Sequence, residues 1–189
     1  MKKVSVIILN WNGEQLLKQF LPSVLKYTPD DIADVVVADN GSTDKSLVLL
    51  KTQFPTVHII ELEKNFGFAD GYNQAIAAVK TPYVVLLNSD VEVTPNWLYP
   101  LVEEVEQHVD VVAVQPKIRS WKEKSSFEYA GACGGYMDRY GYPFCRGRLL
   151  HILETDNGQY DTPTDVLWTS GACMLVRRDV FVKVGGLDA

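Results

Sequence analysis

Val35-Val36-Val37-Ala38-Asp39-Asn40-Gly41-Ser42 and Tyr83-Val84-Val85-Leu86-Leu87-Asn88-Ser89-Asp90 share one pattern: an apolar, β-branched-rich run that ends at an aspartate in a turn-prone segment. Continuous apolar runs of this length are strands buried on both faces, the habit of a parallel sheet. In an open α/β sheet, ligands bind in the crevice beyond the carboxyl ends of the strands, so Asp39 and Asp90 are expected at one acidic, nucleotide-sized site.

Reading outward from these runs, Val4-Ser5-Val6-Ile7-Ile8-Leu9 is a first buried strand, cut off by Asn10-Trp11-Asn12-Gly13 with no small-residue cleavage site, so it is not read as a leader peptide. Leu16, Leu17, Phe20, Leu21, Val24 and Leu25 recur at helical spacing and predict a helix over 14–27, which Pro22 can bend. Ser42 is expected to cap a second helix carrying Leu47, Leu49 and Leu50, and Val57 to Leu62 form a third strand. The segment Asn65 to Asn73 leads into a helix whose glycine and alanines allow close approach of a ligand or another backbone. The fourth strand is read as ending at Asp90, and Thr94-Pro95 as the cap and first turn of a helix through Gln107, followed by a strand at 111–114. Residues 116–164 show little periodicity and are too long for a plain connection, the usual habit of a functional segment. Order returns with two short strands over 166–176 and a helix over 178–184. Alternating strands and helices predict an α/β fold, with a mostly parallel sheet covered on both faces.

The chain has 189 residues, 47% apolar and 22% charged, the composition of one ordinary globular domain. A net charge of −6 leaves no basic footprint for nucleic acid. No stretch approaches the roughly 20 apolar residues of a membrane span. Cys133, Cys145 and Cys173 are an odd count without the spacing of a zinc or redox motif, and a reduced cytoplasmic setting fits them.

Val4 to Asn12, Val37-Ala38-Asp39-Asn40-Gly41-Ser42-Thr43-Asp44, Asn65 to Asn73, Leu86 to Asp90, and Ser170 to Arg178 with Val184-Gly185-Gly186-Leu187-Asp188 together resemble family 2 glycosyltransferases of the GT-A fold, including rhamnosyltransferase-like members. Each motif is short, but their order is specific. The resemblance implies a GT-A type, Rossmann-like domain over 1–189, with a nucleotide-sugar-binding half over 1–115 and an acceptor-side half over 116–189. The ending on a turn signal suggests a catalytic fragment truncated at its C-terminus. The implied activity is inverting transfer of a sugar from a UDP- or dTDP-linked donor to a hydroxyl of a saccharide or lipid-linked saccharide, in cell-surface polysaccharide synthesis. The implied setting is the cytoplasm, or the periphery of the inner face of the membrane.

The resemblance also assigns roles. Asp90 is the expected ligand of a divalent cation, Mn or Mg, which neutralises the departing diphosphate; hard cations take carboxylate oxygens. Asn88 stands where the family usually has the first acidic residue of its pair, and with Ser89 is expected near the donor ribose. An amide there adds no charge and suits a deoxyribose. Asp39 is expected to accept a hydrogen bond from uracil or thymine, or else to hold its turn, while Asp44 is read as a helix-start residue. Leu9, Asn10 and Trp11 fall at the base-binding wall, with Trp11 either stacked on the base or packed as core. Asn65, Asp70 and Asn73 either frame the diphosphate and sugar or serve as caps and turns. Arg139, Arg146 and Arg148 reach diphosphate or acceptor, or are solvated; Tyr129, Tyr136, Tyr140 and Tyr142, near Gly131, Gly134 and Gly135, form a sugar-stacking wall or pack under the loop. Asp188 is the nearest carboxylate to the family's general base, which follows the Gly-Gly-Leu-Asp turn. From another class, a non-catalytic nucleotide-sugar-binding module shares the same features. A nucleotidylyltransferase or an NAD enzyme would want a Gly-rich phosphate loop after the first strand, and Asn10-Trp11-Asn12-Gly13-Glu14 is not one.

Overall fold

Val4–Asn10 forms strand β1 at the middle of the sheet in the computed structural model, which describes residues 2–129 and 132–188. The next elements are α1 (Glu14–Tyr27), β2 (Ala33–Asp39), α2 (Ser46–Gln53), β3 (His58–Glu61), α3 (Gly67–Ala78), β4 (Tyr83–Leu87) and α4 (Tyr99–Gln107). They are followed by β5 (Ala113–Val114), β6 (Gly135–Met137), β7 (Pro143–Cys145), β8 (Arg148–Leu149), β9 (Ile152–Leu153), β10 (Cys173–Arg177) and α5 (Arg178–Lys183). The main sheet has the order β3-β2-β1-β4-β10-β5. Its first four strands are parallel, and β10 runs antiparallel to both β4 and β5.

The pleat of β1 explains the layers. Val4, Val6 and Ile8 face one core with Leu17, Leu21 and Val24 of α1, Leu49 and Leu50 of α2, and Leu101, Val102 and Val105 of α4. Ile7 faces the other, with Val36, Val84 and Leu86 from its neighbours, Tyr72, Ala75 and Ile76 of α3, and Phe181 of α5. Side chains alternate across a strand, so an uninterrupted apolar run requires helices on both faces. The α/β reading with a mostly parallel, doubly covered sheet therefore holds.

Several local expectations are corrected. Strand β4 ends at Leu87, and Asn88 to Asp90 lie in the turn beyond it. Ser42 does not cap α2: the helix starts at Ser46, and Asp44 Oδ1 accepts the Ser46 N–H at 2.9 Å. Helix α4 starts at Tyr99 with Pro100 in its first turn, because Thr94 to Trp97 close a separate turn through Trp97 N–H and Thr94 C=O (3.3 Å). Residues 166–176 give one sheet strand, β10; Trp168 instead makes an isolated bridge to Gly135. Arg177 on β10 donates to the carbonyls of Val105, Val111 and His108, satisfying the end of α4, which has no basic residue in its last turn.

The irregular stretch has its own small core of Phe127, Ala132 and Cys133. Two hairpins, β6–β7 and β8–β9, rise from it. Lys117 bridges Asp156 (2.9 Å) and Asp161 (2.5 Å) beneath them. At the other end of the chain, Asn73 on α3 pairs with the backbone of Leu187 twice: its Nδ2 donates to the carbonyl and its Oδ1 accepts the N–H, both at 2.9 Å. Gly186 permits this, since its φ is +82° and a Cβ would collide with the Asn73 amide.

Two substitutions test this packing by urea unfolding. Leu86→Ala is expected to cost about 2–5 kcal/mol, as a fully buried leucine in the core between the sheet and α3. Asn73→Ala removes both bonds to Leu187 and is expected to cost about 1–3 kcal/mol, with no effect if the C-terminal turn is not held there.

Candidate functional site

Strands β1, β2 and β4 end at one edge of the sheet, where Asn10 lies opposite Asp39 in register. Their loops are joined by side chains. Asn10 Nδ2 donates to Asp39 Oδ1 (3.0 Å) and Ser42 Oγ (3.1 Å), and Asp39 Oδ2 accepts the Ser42 N–H (3.0 Å). The Asn12 N–H donates to Ser42 Oγ (2.9 Å), while its Oδ1 accepts the N–H groups of Thr43 (2.7 Å) and Asp44 (3.2 Å). Asp44 Oδ2 accepts the Glu14 N–H at 3.0 Å, so one carboxylate serves the starts of both α1 and α2. Burial pushes its carboxyl upward, but the hydrogen bonds from Ser46 and Glu14 outweigh this and hold it below its ordinary value.

The loop before α3 is locked to the same edge. Buried Asn40 donates to Asn65 Oδ1 (3.1 Å) and the Gly67 carbonyl (2.9 Å), and accepts the Phe66 N–H (2.9 Å). Asn65 Oδ1 also accepts the Gly67 N–H at 2.8 Å, which caps the loop. Gly41, at φ +71°, is needed here because a Cβ would come within 2.6 Å of the Lys64 backbone.

Beyond β4, the Tyr72 hydroxyl donates to the Leu87 carbonyl (3.0 Å), and burial raises its pKa far above the ordinary phenol range. The Asn88 N–H donates to the Ala172 carbonyl (2.9 Å), which fixes the turn that carries Asp90. Asp90 is exposed and its carboxylate makes no hydrogen bond or ion pair among the described residues. It lines an open cavity of about 470 Å³ together with Asn88, Phe68 and Glu92, with Arg119, Ser120, Trp121 and Lys124, and with Ser170 to Ala172. Trp121 forms a wall of that cavity, its ring edge-on to Phe20 at 5.7 Å and its indole N–H donated to Glu92 at 3.0 Å. Lys124, then the indole of Trp121, holds the Glu92 carboxyl below its ordinary value.

Of the residues singled out from sequence, Asn88 and Asp90 line the cavity. Leu9, Asn10 and Asp39 stand at the ends of β1 and β2, with Asp39 1% exposed and both its oxygens engaged in the turn. Trp11 projects beside them, 57% exposed, so it is not core. Ser89 is half-buried, and Asp70 is exposed in the first turn of α3. Asn65 Oδ1 is engaged by the Asn40 amide and the Gly67 N–H, and the Asn73 amide is committed to Leu187. Asp188 is exposed next to that pinned turn and does not line the cavity. Arg139, Arg146 and Arg148 stack on Tyr140, Tyr160 and Tyr129, away from the cavity; Tyr136 packs on Phe144, and Gly131 lies outside the described residues. Cys133 and Cys173 are buried, which pushes their thiols up to about 11 and about 12, out of nucleophilic range near neutrality. Glu92, Arg119, Trp121 and Lys124 were not anticipated; the signal available was a lone tryptophan in the charged stretch Ser120-Trp121-Lys122-Glu123-Lys124.

No group of three His, Cys, Asp or Glu side chains able to hold a metal occurs among the described residues. Asp90 is instead a single exposed carboxylate without an ion pair among the described residues, a group of the type that Mg²⁺-like ions take when phosphates and water supply the rest of their shell.

The Glycosyl transferase family 2 model matches residues 5–185. The O-antigen biosynthesis protein RfbC of Myxococcus xanthus is 29% identical over 98% of this chain, which spans 14% of that protein. The N-acetylglucosaminyl-diphospho-decaprenol L-rhamnosyltransferase of Mycobacterium tuberculosis is 25% identical over 97% of this chain, which spans 64% of it. Among solved structures, GalNAc-T7 with UDP, GalNAc and Mn²⁺ superposes with a TM-score of 0.71 at 19% identity, over all of this chain and 37% of that one. A mannosyltransferase from Pyrobaculum calidifontis in complex with GDP-Man and Mn²⁺ does so at 0.67 and 17%, over 98% of this chain and 47% of that one. With a family match across nearly its whole length and the same fold in these structures, the chain belongs to glycosyl transferase family 2 and carries the GT-A glycosyltransferase fold.

Proposed function

We propose that this domain transfers a sugar, with inversion, from a UDP- or dTDP-linked donor to a hydroxyl of a saccharide or lipid-linked saccharide in cell-surface polysaccharide synthesis. The observation that carries this reading is Asp90: an exposed carboxylate with no partner among the described residues, just beyond the carboxyl end of a central strand and on the lip of the cavity. The naming of relatives for O-antigen synthesis and for rhamnosyl transfer supports the wider setting.

Asp90 would hold the divalent cation together with the donor diphosphate. When bound, that cation supplies Lewis-acid neutralisation of the leaving group. Trp11 stacks on the base, the Asp39–Asn10 pair presents its polar edge, and Asn88 accepts from the ribose with Ser89 beside it. The acceptor lies in the cavity walled by Trp121. Its oxygen attacks the anomeric carbon on the face opposite the diphosphate, the bond from that carbon to the phosphate oxygen breaks, and the electron pair leaves with the phosphate. The acceptor proton passes to a carboxylate in the family's acidic motif, which follows the 185–188 turn, or to Asp188 itself. A non-catalytic binding module would retain the first half of this account and lack the last step.

Calorimetric titration with UDP, dTDP and GDP, with and without Mn²⁺, tests the donor site. One pyrimidine nucleotide is expected to bind in a Mn²⁺-dependent way, and Asp90→Ala to weaken it at least about tenfold, or 1.4 kcal/mol. Equal binding by the variant overturns the assignment of Asp90. Trp11→Ala is expected to cost about 1–3 kcal/mol of binding with or without Mn²⁺, the worth of a stacked base; unchanged affinity removes Trp11 from the site.

A further inference from the structure

Tyr72 is fully buried in the core between the sheet and α3, and its hydroxyl is a polar group that this core does not need. A phenylalanine would fill the space with nothing to satisfy, whereas a buried hydroxyl is costly without a partner. Its partner is the Leu87 carbonyl, at 3.0 Å. That carbonyl stands where β4 leaves the sheet. β1 pairs with β2 as far as Asn10 and Asp39, but with β4 only as far as Ile8 and Leu87, and the pairing of β4 with β10 also reaches its limit at Leu87 and Cys173. The next three residues form the turn that carries Asp90.

A glycine brings the phenol within reach. Gly71 packs so closely on the end of β1 that a Cβ would come within 2.9 Å of the Leu9 methyl groups and 3.0 Å of the Asn40 amide nitrogen. From the next position, Tyr72 extends from α3 to the last residue of β4. Phe68, one helical turn earlier, packs edge-on against its ring at 4.9 Å and also lies against Gly171, where a Cβ would meet the Phe68 ring at 3.1 Å. The far side of the turn is tied down as well: the Asn88 N–H donates to the Ala172 carbonyl (2.9 Å), and the Ala172 N–H to Ser170 Oγ (3.2 Å). The Val91 N–H closes the turn on the Asn88 carbonyl at 3.3 Å. Burial above all raises the Tyr72 pKa far above the ordinary phenol range, with the Asp90 carboxylate adding to the rise, so the hydroxyl keeps its proton and remains a donor.

We propose that Tyr72 is a positioning residue for the cation site: through the Leu87 carbonyl, its hydroxyl sets where the turn from Asn88 to Asp90 leaves the sheet, and so where the Asp90 carboxylate stands. This inference rests on the assignment of Asp90 to the cation. The Asp90 carboxylate has no hydrogen bond or ion pair among the described residues to orient it, so its place depends on the backbone that carries it. A ligand group must be held within about 0.5 Å of its working position, which supporting hydrogen bonds secure. Fully buried, Tyr72 does this without touching the cation or the nucleotide.

Tyr72→Phe keeps the ring and removes only the hydroxyl. UDP and dTDP are titrated calorimetrically with and without Mn²⁺, and the quantity read is the gain in affinity that Mn²⁺ gives. Tyr72→Phe is expected to lose at least about threefold of that gain, with affinity in the absence of Mn²⁺ kept within about twofold. Leu86→Ala, which loosens the same core more severely, is expected to keep the gain while its thermal unfolding midpoint falls further. An undiminished gain in Tyr72→Phe overturns the proposal, as does a loss shared equally with Leu86→Ala or an equal loss with and without Mn²⁺. So does a Tyr72→Phe chain that fails to fold where Leu86→Ala folds, since the hydroxyl then serves folding. Asp90→Ala separates the two assignments: if it abolishes the gain while Tyr72→Phe retains it, Asp90 stands and the positioning role falls. If Asp90→Ala keeps the gain, or Mn²⁺ gives none to the unaltered chain, both fall.

Discussion

The structure depends on satisfying the polar groups where parallel strands end side by side. β1 and β2 deliver Asn10 and Asp39 to the same level, both almost fully buried, and a buried amide and carboxylate are costly unless hydrogen-bonded. Asn10 Nδ2, Asp39, Ser42, Asn12 and Asp44 meet most of this demand within two loops, leaving Asn10 Oδ1 buried without a partner, and Asn40 extends the lacing to the start of α3. The loops are therefore rigid before any ligand arrives. Asp90, one strand over, is left out of the lacing and lines the cavity unpaired among the described residues. A rigid edge beside one uncommitted carboxylate is the physical basis of the proposed donor site.

This division explains why the order of strands and helices was legible in the amino-acid sequence and parts of the site were not. β1, α1 and β2 carry long apolar runs or a clear helical period, and their bounds emerge within a residue or two of the reading. The starts of α2 and α4 were misplaced because serine, threonine and aspartate all serve as caps and turn-formers. Ser42 is drawn away from α2 by Asn10 and Asn12, contacts about 30 residues distant that no local pattern reports. Asn73 illustrates the same limit. Its place in a ligand-like motif pointed to the donor, whereas the fold ties its amide to Leu187, 114 residues away.

The cavity wall was hidden for a related reason. Trp121 and Lys124 lie in a stretch without periodicity, and only their contacts with Phe20 and Glu92 bring them beside Asp90. Long-range pairings of this kind leave no local signal, so a family resemblance marks the ends of β1, β2 and β4 far better than the opposite wall of the cavity.

Asp90 and a nucleotide diphosphate are proposed to share one divalent cation. Crystals soaked with UDP or dTDP and Mn²⁺, measured at the manganese absorption edge, would locate it. One anomalous peak is expected within about 2.0–2.6 Å of an Asp90 carboxylate oxygen and of the diphosphate, the range of hard-cation bonds to oxygen. A bound nucleotide whose manganese lies away from Asp90 would contradict it.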